Sequence, residues 1–220
     1  MPSLRSPEET PPRLVLASAS PRRRELMALL GLPFEVLPSR YEEPTASQEP
    51  IFMAEFVTTL ALHKAQEVAA RVDGDSWVIG ADTEVALDLG EKGMPLGKPI
   101  DAEDARRMLR LLSGRAHVVY TGVALLRAPG GGEPITAAER TLVRFREMTE
   151  AMIDDYVATG EPLDKAGAYG AQGYAAPFIA GFEGDFFNVV GLPLCLVGRL
   201  LEQAGIPWWH YRLHMPPLIG

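Results

Sequence analysis

The sequence predicts an α/β fold built on a mixed β-sheet. Short apolar runs that suit buried strands alternate with segments whose apolar residues recur at helical spacing, and no internal repeat interrupts this order. The 220 residues are 47% hydrophobic and 23% charged, which excludes a globally disordered chain and provides for a large core. No linker divides the chain, so we expect one domain over residues 13–205, between a disordered lead-in at 1–12 and a tail at 206–220.

The first half of the chain is predicted to begin with a buried strand at residues 13–17. Ser20 and Pro21 then suit the N-cap and the first position of a helix that ends at Gly31. The remaining elements of this half are a strand at 34–37, a proline-rich loop at 38–50, a helix at 51–72, and an apolar strand at 76–89 that turns back near 90–93.

The second half is predicted to continue the alternation. A helix at 102–112 carries its apolar residues on one face, and two β-rich runs at 117–126 and 135–145 are separated by a glycine-rich break at 129–132. The later elements are a helix at 149–159, a glycine-punctuated loop, a strand–turn–strand unit at 178–191 and a last helix at 192–204.

Charge and composition exclude several functional classes. The chain has 29 Asp and Glu against 21 Lys and Arg, a net charge of −8, whereas a nucleic-acid binder needs a basic face. No run of about 18 apolar residues exists, so we expect neither a membrane span nor a membrane partner. The single cysteine, Cys195, excludes a disulfide framework and a Cys-based zinc site, and with no apolar leader at 1–12 it favours the cytoplasm.

The first candidate for chemistry is the junction between the first strand and the first helix. Ser18 precedes the helix start, where unpaired N–H groups favour a phosphate. Arg22 and Arg23 lie in the first turn, where positive charge opposes the helix dipole. A bound anion explains this arrangement better than a solvated charged face does, although the latter is the usual meaning of an arginine run.

Two charged residues inside apolar segments are the next candidates. Lys64 lies in the middle of the apolar stripe of the helix at 51–72, so its ammonium either reaches solvent or meets a phosphate or carboxylate in a cleft. Asp82, followed by Thr83, lies in or at the end of a buried strand, where a carboxylate needs a cation, a metal or a helix N-terminus. Capping of a turn is the simpler alternative for this pair.

Three loop segments give weaker signals. Lys98 lies in a pattern one residue short of a P-loop, yet its ammonium can still contact a phosphate. The glycine loop (residues 161–173) has three regularly spaced glycines and Gln172, whose amide can read the edge of a base. Glu42 and Glu43 either offer oxygen ligands to a hard cation such as Mg²⁺ or form an exposed acidic pair, which is the interpretation kept for Glu42.

Four strings occur in a fixed order along the chain. They are LASASPRR at 16–23, GADT at 80–83, GKP at 97–99 and DKAGAYGAQG at 164–173, and VVGLPL at 189–194 fits the same series. Together they resemble the Maf family of nucleoside-triphosphate pyrophosphatases. The resemblance covers about residues 13–205, and four ordered motifs are far more specific than any one of them.

The resemblance implies a curved α/β fold with flanking helices and two lobes around a central cleft, similar to inosine-triphosphate pyrophosphatases. It implies hydrolysis of a nucleoside triphosphate to the monophosphate and pyrophosphate, with a divalent metal such as Mg²⁺ or Mn²⁺, by a homodimer. The corresponding residues are Asp82 as the proton acceptor, Arg22, Thr83 and Gln172 as base-specificity positions, and Arg23, Glu43, Lys64 and Lys98 as further polar residues of the cleft.

The same motifs resemble the dTTP/UTP branch of the family more than the 7-methyl-GTP branch. Ala171, where isoleucine is usual, is a departure beside the base-reading position. From the residues, the phosphate-binding set is Ser18, Arg22, Arg23, Lys64 and Lys98. Two alternatives stay open: a nucleotide-sensing regulator of cell division without catalysis, and the same chemistry on another base.

The role of Asp82 toward a metal also has two versions. Glu43 and Asp82 either hold the cation directly or through water, or Asp82 is the base that readies the attacking water. One carboxylate can hardly be both a tight metal ligand and a free base, so the two roles exclude each other.

Overall fold

The computed structural model of the chain describes residues 11–44 and 49–212. Most of the expected lead-in at 1–12, part of the proline-rich loop at 38–50 and the end of the expected tail at 206–220 therefore lie outside the described residues.

Within those ranges seven β-strands form one mixed sheet, which confirms the predicted α/β class. The strands are β1 (Leu14–Leu16), β2 (Glu35–Val36), β3 (Ser76–Asp88), β4 (Gly93–Pro95), β5 (Ala116–Ala128), β6 (Gly131–Phe145) and β7 (Ile179–Glu183). Their order is β2-β1-β3-β5-β6-β7, and β4 pairs with β3 outside this path. β1 is parallel to β2 and β3, whereas the other pairings are antiparallel.

Helices flank the sheet along the described chain. The α-helices are α1 (Pro21–Ala28), α2 (Met53–Ala69), α3 (Ala102–Leu112), α4 (Glu150–Ala158), α5 (Phe186–Val190), α6 (Leu194–Gln203) and α7 (Trp208–Arg212), and short 3₁₀ helices span Glu161–Asp164, Ala166–Ala168 and Ala176–Phe178. None of the helices in the described ranges has the length and apolar character needed to cross a bilayer.

Capping side chains set the starts of α1 and α3, and the cap at Ser20 is the one predicted from the sequence. The Ser20 hydroxyl accepts a hydrogen bond from the Arg23 backbone N–H at 3.4 Å, and Pro21 occupies the first position of α1. The Asp101 side chain caps α3 in the same way, accepting from the Asp104 N–H at 2.8 Å. The predicted helices at these positions are confirmed.

The predicted strand–turn–strand unit at 178–191 is half wrong. Its first half is β7, but its second half is the short helix α5. The Asp185 carboxylate caps this helix by accepting from the Phe187 N–H at 2.7 Å, and Gly191 ends it with a φ of 123°. A five-residue run of four apolar residues and one asparagine has no periodicity that separates a buried helix turn from a buried strand, so the sequence favoured the wrong choice.

The core occupies both faces of the sheet. On one face, α2 packs against β3 and β5, with Val78 and Ala124 in the shared cluster. On the other face, α1 and α6 form a cluster that includes Ala81, while α3 and α4 form a second cluster that includes Val85. Thr83 lies between these two residues on β3, so the two lobes expected from the family resemblance meet along one strand.

A gap in the pairing of β3 positions the site. β5 pairs with β3 from Ser76 to Ala86. On the other edge, β1 pairs with β3 up to Ile79 and β4 pairs from Ala86 onward. Among the described strands none covers residues 80–84 on that edge, and ligands in α/β proteins bind where the strand order changes in this way.

Candidate active site

A cleft of about 810 Å³ opens at the gap in β3. The β1–α1 junction, the loop after β2, α2, β3, the segment after β4, the glycine loop and the end of α5 all contribute to its wall. The cleft brings together all the site residues predicted from the sequence: Ser18, Arg22, Arg23, Glu43, Lys64, Asp82, Thr83, Lys98 and Gln172.

Lys64 and Asp82 form a buried ion pair at the cleft wall. The Lys64 Nζ lies 2.5 Å from Asp82 Oδ1 and 2.5 Å from Glu43 Oε1. Lys64 is 8% exposed and Asp82 is 4% exposed. Of the two fates open to Lys64 from its sequence, the structure therefore selects contact with carboxylates over escape into solvent.

Two glycines allow α2 to approach the sheet closely enough for this contact. A Cβ atom on Gly80 of β3 would overlap the carbonyl oxygen of Ala61, and a Cβ atom on Gly122 of β5 would overlap that of Val57. Asp82 lies two residues after Gly80 and so shares its face of β3. The backbone of α2 thus lies directly on β3 and β5, and the Lys64 side chain reaches Asp82 on β3.

Arg23 is fixed on the opposite face of β3. Its Nε donates to the Gly191 carbonyl at 2.8 Å, Nη2 donates to Thr83 Oγ1 at 2.9 Å, and Nη1 donates to Ser18 Oγ at 3.4 Å. Desolvation lowers the pKa of Arg23, and the charges of Asp82 and Glu43 oppose this shift. The guanidinium is therefore a preoriented cation in the wall of the cleft.

Thr83 is engaged within the same wall. Besides accepting from Arg23, its hydroxyl lies 2.9 Å from the Thr121 hydroxyl and 3.4 Å from the Gly191 carbonyl oxygen. Successive strand residues point to opposite faces, and Asp82 and Thr83 both reach the cleft because the cleft lies at the open strand edge. The predicted contact of Thr83 with a base stays a prediction.

Three predicted side chains present uncommitted polar groups to the cleft. Arg22, Lys98 and Gln172 line it, and within the described residues their side chains make no hydrogen bond or ion pair. Arg22 is half-buried, whereas Lys98 and Gln172 are exposed. These are the groups free to bind a ligand without breaking an existing contact.

Glu161 organises the glycine loop, a role that the sequence analysis did not identify. The Tyr156 hydroxyl donates to Glu161 Oε1 at 2.9 Å and accepts from the Gly170 N–H at 3.2 Å. The Tyr174 N–H donates to Glu161 Oε2 at 2.9 Å, and a Cβ atom on Gly173 would overlap that oxygen. The glycine spacing, which signals a close approach, was the available clue.

A buried histidine ties the glycine loop to the sheet. Tyr169 lines the cleft, and its hydroxyl lies 2.9 Å from Nε2 of His117 on β5. His117 is fully buried, and burial lowers its pKa to about 4. The imidazole is therefore neutral in the fold at neutral pH, and its partner Tyr169 is held edge-on to it.

Glu84 is a further acidic group of the cleft that the sequence analysis missed. Its Oε2 is buried and has no hydrogen-bond partner among the described residues. Burial raises the pKa of Glu84 to about 8, the charges of Asp82 and Glu43 act in the same direction, and Lys98 and Lys64 oppose them. The period of two along a strand could have shown that Glu84 shares the face of Asp82.

The carboxylates of the cleft fit a divalent cation whose coordination is completed by ligands from outside the chain. Burial would raise the pKa of Glu43, but the hydrogen bond and charge of Lys64, with Lys98 and Arg23, bring it below its usual value. Asp82 Oδ2 is buried and has no partner in the described chain. No three His, Cys, Asp or Glu side chains of the described ranges group into a metal site, so other ligands must complete the coordination.

Comparison with known proteins agrees with the motifs. The family model described as "Maf-like protein" matches residues 13–204. The chain is 56% identical over 197 residues to a dTTP/UTP pyrophosphatase of Moorella thermoacetica, covering 90% of this chain and 97% of the relative. It is 50% identical over 196 residues to a dTTP/UTP pyrophosphatase of Symbiobacterium thermophilum, covering 89% and 95%.

One further relative and one solved structure are also similar to the chain. A dTTP/UTP pyrophosphatase of Thermotoga maritima is 48% identical over 199 residues, covering 90% of this chain and 91% of the relative. The solved structure of a nucleoside-triphosphatase/dITP/XTP pyrophosphatase from Mycobacterium abscessus has a TM-score of 0.44 at 17% identity, covering 87% of this chain and 97% of that chain.

Proposed function

The chain belongs to the Maf-like family, and we propose that it hydrolyses dTTP and UTP to the nucleoside monophosphate and pyrophosphate. One observation carries this proposal: a single cleft holds the four cationic side chains predicted from the sequence around one buried aspartate. The cations are Arg22, Arg23, Lys64 and Lys98, and the aspartate is Asp82. Such a set matches a polyanionic chain that is cut by activated water.

The cationic residues bind the triphosphate in two ways, as a fixed group and as free side chains. Arg23 is fixed by its contacts with Thr83 and Gly191, so it presents its charge without losing side-chain entropy on binding. Arg22 and Lys98 make no hydrogen bond or ion pair within the described residues, so their side chains are free to bind the phosphate oxygens.

Asp82 acts on the water. Its Oδ1 is bonded to Lys64, and its unpartnered Oδ2 is the atom that accepts the proton as the water oxygen attacks the α-phosphorus. The bond from the α-phosphorus to the bridging oxygen then breaks, and pyrophosphate leaves. Glu43 and Asp82 would hold a divalent metal, Asp82 through water, and such a metal would neutralise charge on the phosphate oxygens.

The glycine loop supplies the base contact. Gln172 is exposed to the cleft, and its amide offers one acceptor and two donors to the pyrimidine edge. A polar base edge left without its partner is costly, which is how such a contact discriminates between bases. Arg22, in α1, lines the same cleft and is a second group that can contact the nucleotide.

The central experiment is the variant Asp82→Asn. We expect loss of pyrophosphate release with retained nucleotide binding, because the amide keeps the shape but cannot accept the proton. Asp88→Asn is the matched control, since Asp88 lies on the same strand, outside the cleft, in an ion pair with Arg140. Full activity of Asp82→Asn would refute the assignment, and binding without turnover by the unaltered protein would favour the nucleotide-sensing regulator.

A substrate panel tests the base preference. Pyrophosphate release should be fastest with dTTP and UTP, and slower with 7-methyl-GTP and ATP, in the presence of Mg²⁺ or Mn²⁺. A faster reaction with 7-methyl-GTP would assign the same chemistry to a different base. Loss of activity with a chelator and its return with either ion would identify the metal requirement.

We further propose a cytoplasmic homodimer that binds neither nucleic acid nor membranes. The −8 net charge and the single cysteine support the compartment and the lack of nucleic-acid binding. In the described part of the C-terminal segment, up to residue 212, Trp208 and Tyr211 pack against the α1–α6 cluster, whereas Trp209 is 48% exposed and is an apolar group available to a second copy. Light scattering of the purified chain and of Trp209→Ser tests the assembly.

A further inference from the structure

We propose that Lys64 holds the place of the divalent cation in the nucleotide-free protein, so that metal enters together with the nucleotide and not before it. The proposal rests on the proposed function, because it concerns the same cleft and its metal-dependent substrate. It adds an order of binding and assigns Lys64 a second partner.

The first argument is the position of the ammonium. Lys64 Nζ is shared between Glu43 Oε1 and Asp82 Oδ1, both at 2.5 Å. These are the two carboxylates that suit a cation in the cleft, and the ammonium already pairs with both and compensates one of their two negative charges. A divalent ion that approaches them must displace a buried, bonded positive charge.

The second argument is the charge balance around the two carboxylates. Arg23 and Lys98 also act on Glu43, and both stabilise its charged form together with Lys64. Three cations therefore already compensate the acids at this end of the cleft. A free metal ion gains little net attraction there, whereas a nucleotide triphosphate brings several negative charges of its own.

The third argument is the number of ligands. In the described parts of the chain, no group of three acidic, histidine or cysteine side chains is available to a metal at this place. Mg²⁺ and similar ions are commonly held by one or two carboxylates, with waters and substrate phosphates completing the shell. The missing ligands therefore come with the nucleotide.

The phosphate oxygens of the nucleotide also offer the Lys64 ammonium a new partner. Its ammonium sits on a flexible four-carbon stem and lines the same cleft as Arg22 and Lys98. When phosphate oxygens enter, the ammonium exchanges its Glu43 partner for a phosphate partner and keeps its bond to Asp82 Oδ1, while α2 stays in place. The cation would then be held by Glu43 and, through water, by Asp82.

The test measures Mn²⁺ binding by electron paramagnetic resonance without nucleotide, so it does not depend on turnover. The unaltered protein should bind Mn²⁺ weakly, and Lys64→Met should lower the dissociation constant about tenfold or more, because two carboxylates lose their bound counter-charge. Lys98→Met is the matched control: it also removes one cleft cation, but Lys98 forms no ion pair in the described chain. Its effect should be at least several-fold smaller.

Further variants test which residues form the Mn²⁺ site that Lys64→Met is expected to open. Adding Asp82→Asn to Lys64→Met should abolish the gain in Mn²⁺ affinity. Mn²⁺ should also raise the melting temperature of Lys64→Met more than that of the unaltered protein. If Lys64→Met does not fold in metal-free buffer, Lys64→Gln, which keeps a hydrogen-bond donor toward the carboxylates, is measured in its place.

The outcomes separate this proposal from the proposed function. Tight Mn²⁺ binding by the unaltered protein without nucleotide overturns it, as does an equal gain in Lys64→Met and Lys98→Met. A non-hydrolysable dTTP analogue should raise the Mn²⁺ affinity of the unaltered protein, and no rise contradicts the coupled entry. Gain of affinity in Lys64→Met, combined with no pyrophosphatase activity in the unaltered protein, would reject the proposed function alone.

Discussion

Thr83 shows how one hydroxyl in the cleft wall can act on a substrate through a neighbouring cation. Its oxygen accepts from Arg23 Nη2 and lies within hydrogen-bond distance of Thr121 and the Gly191 carbonyl. Thr121 donates its own proton to the Asn188 carbonyl at 2.9 Å, so Thr83 is the donor toward Thr121 or Gly191 and accepts from Arg23. The donor and one acceptor position of Thr83 are thus in use, and these contacts favour a positioning role toward Arg23 over direct readout of a base.

The variant Thr83→Val separates the two roles. We expect KM to rise by about tenfold for every nucleoside triphosphate alike, because the loss of one hydrogen bond to a charged group costs about 1.5 kcal/mol or more. Thr83→Ser keeps the hydroxyl and should retain KM. A change confined to the ratio of dTTP to ATP turnover would instead show that Thr83 contacts the base.

At the scale of elements, the approach of α2 to the sheet decides where Lys64 lies. The helix rests on Gly80 and Gly122, which lie on adjacent strands beside Asp82. The buried apolar side chains of α2 hold it there by packing against both strands. The placement of the Lys64–Asp82 pair therefore depends on glycine, with no Cβ atom, at positions 80 and 122.

Gly80→Ala should damage stability and activity together. The new methyl group overlaps the Ala61 carbonyl oxygen, which is backbone and cannot turn away, so α2 must shift. We expect a loss of about 1–3 kcal/mol in the free energy of unfolding, as for overpacked cores, and a fall in kcat/KM. Urea unfolding and a pyrophosphate assay measure the two effects.

Gly181→Ala on β7 is the control for that substitution. A Cβ atom there meets nothing within 4 Å, and the backbone of Gly181 has no positive φ. Stability and activity should stay close to those of the unaltered protein. An equal loss in both variants would show that the approach of α2 is not the cause.

At the scale of the whole molecule, His117 connects the sheet to the glycine loop. It lies on β5, fully buried, and its Nε2 is bonded to the Tyr169 hydroxyl. Burial lowers its pKa from 6.5 to about 4, so the fold disfavours the imidazolium. Protonation of this one side chain therefore loosens contacts between β5, Tyr169 and the cluster formed with α3 and α4.

This shift predicts a pH dependence of stability. Between pH 6.5 and pH 4 the unfolded chain takes up a proton at His117 that the folded protein does not, so stability is lost as pH falls through this window. The full contribution is about 3 kcal/mol. The variant His117→Gln removes the titration, so unfolding of both proteins at pH 7 and pH 4 should give a smaller difference for the variant. Parallel pH profiles would contradict the assignment.

Much of the site was predictable because its residues disagree with their surroundings. A lysine in an apolar helix stripe, an aspartate in a buried strand and arginines at a helix start each need a partner, and each proved to face the same cleft. The sequence analysis did not single out Glu84, Glu161 or His117, although the strand period and the glycine spacing held clues to the first two. Their importance comes from neighbours distant along the chain.

The sequence by itself determined the α/β class, most of the helices and strands, and the set of charged groups that a triphosphate requires. These depend on local periodicity, capping and the cost of burying charge, all of which operate within a few residues. Only the tertiary structure decided that Lys64 bridges Glu43 and Asp82, that Thr83 binds Arg23, and that residues 186–190 form a helix. Those outcomes depend on which strands leave an edge open and how closely α2 lies on the sheet, and such contacts between distant segments form only when the chain folds.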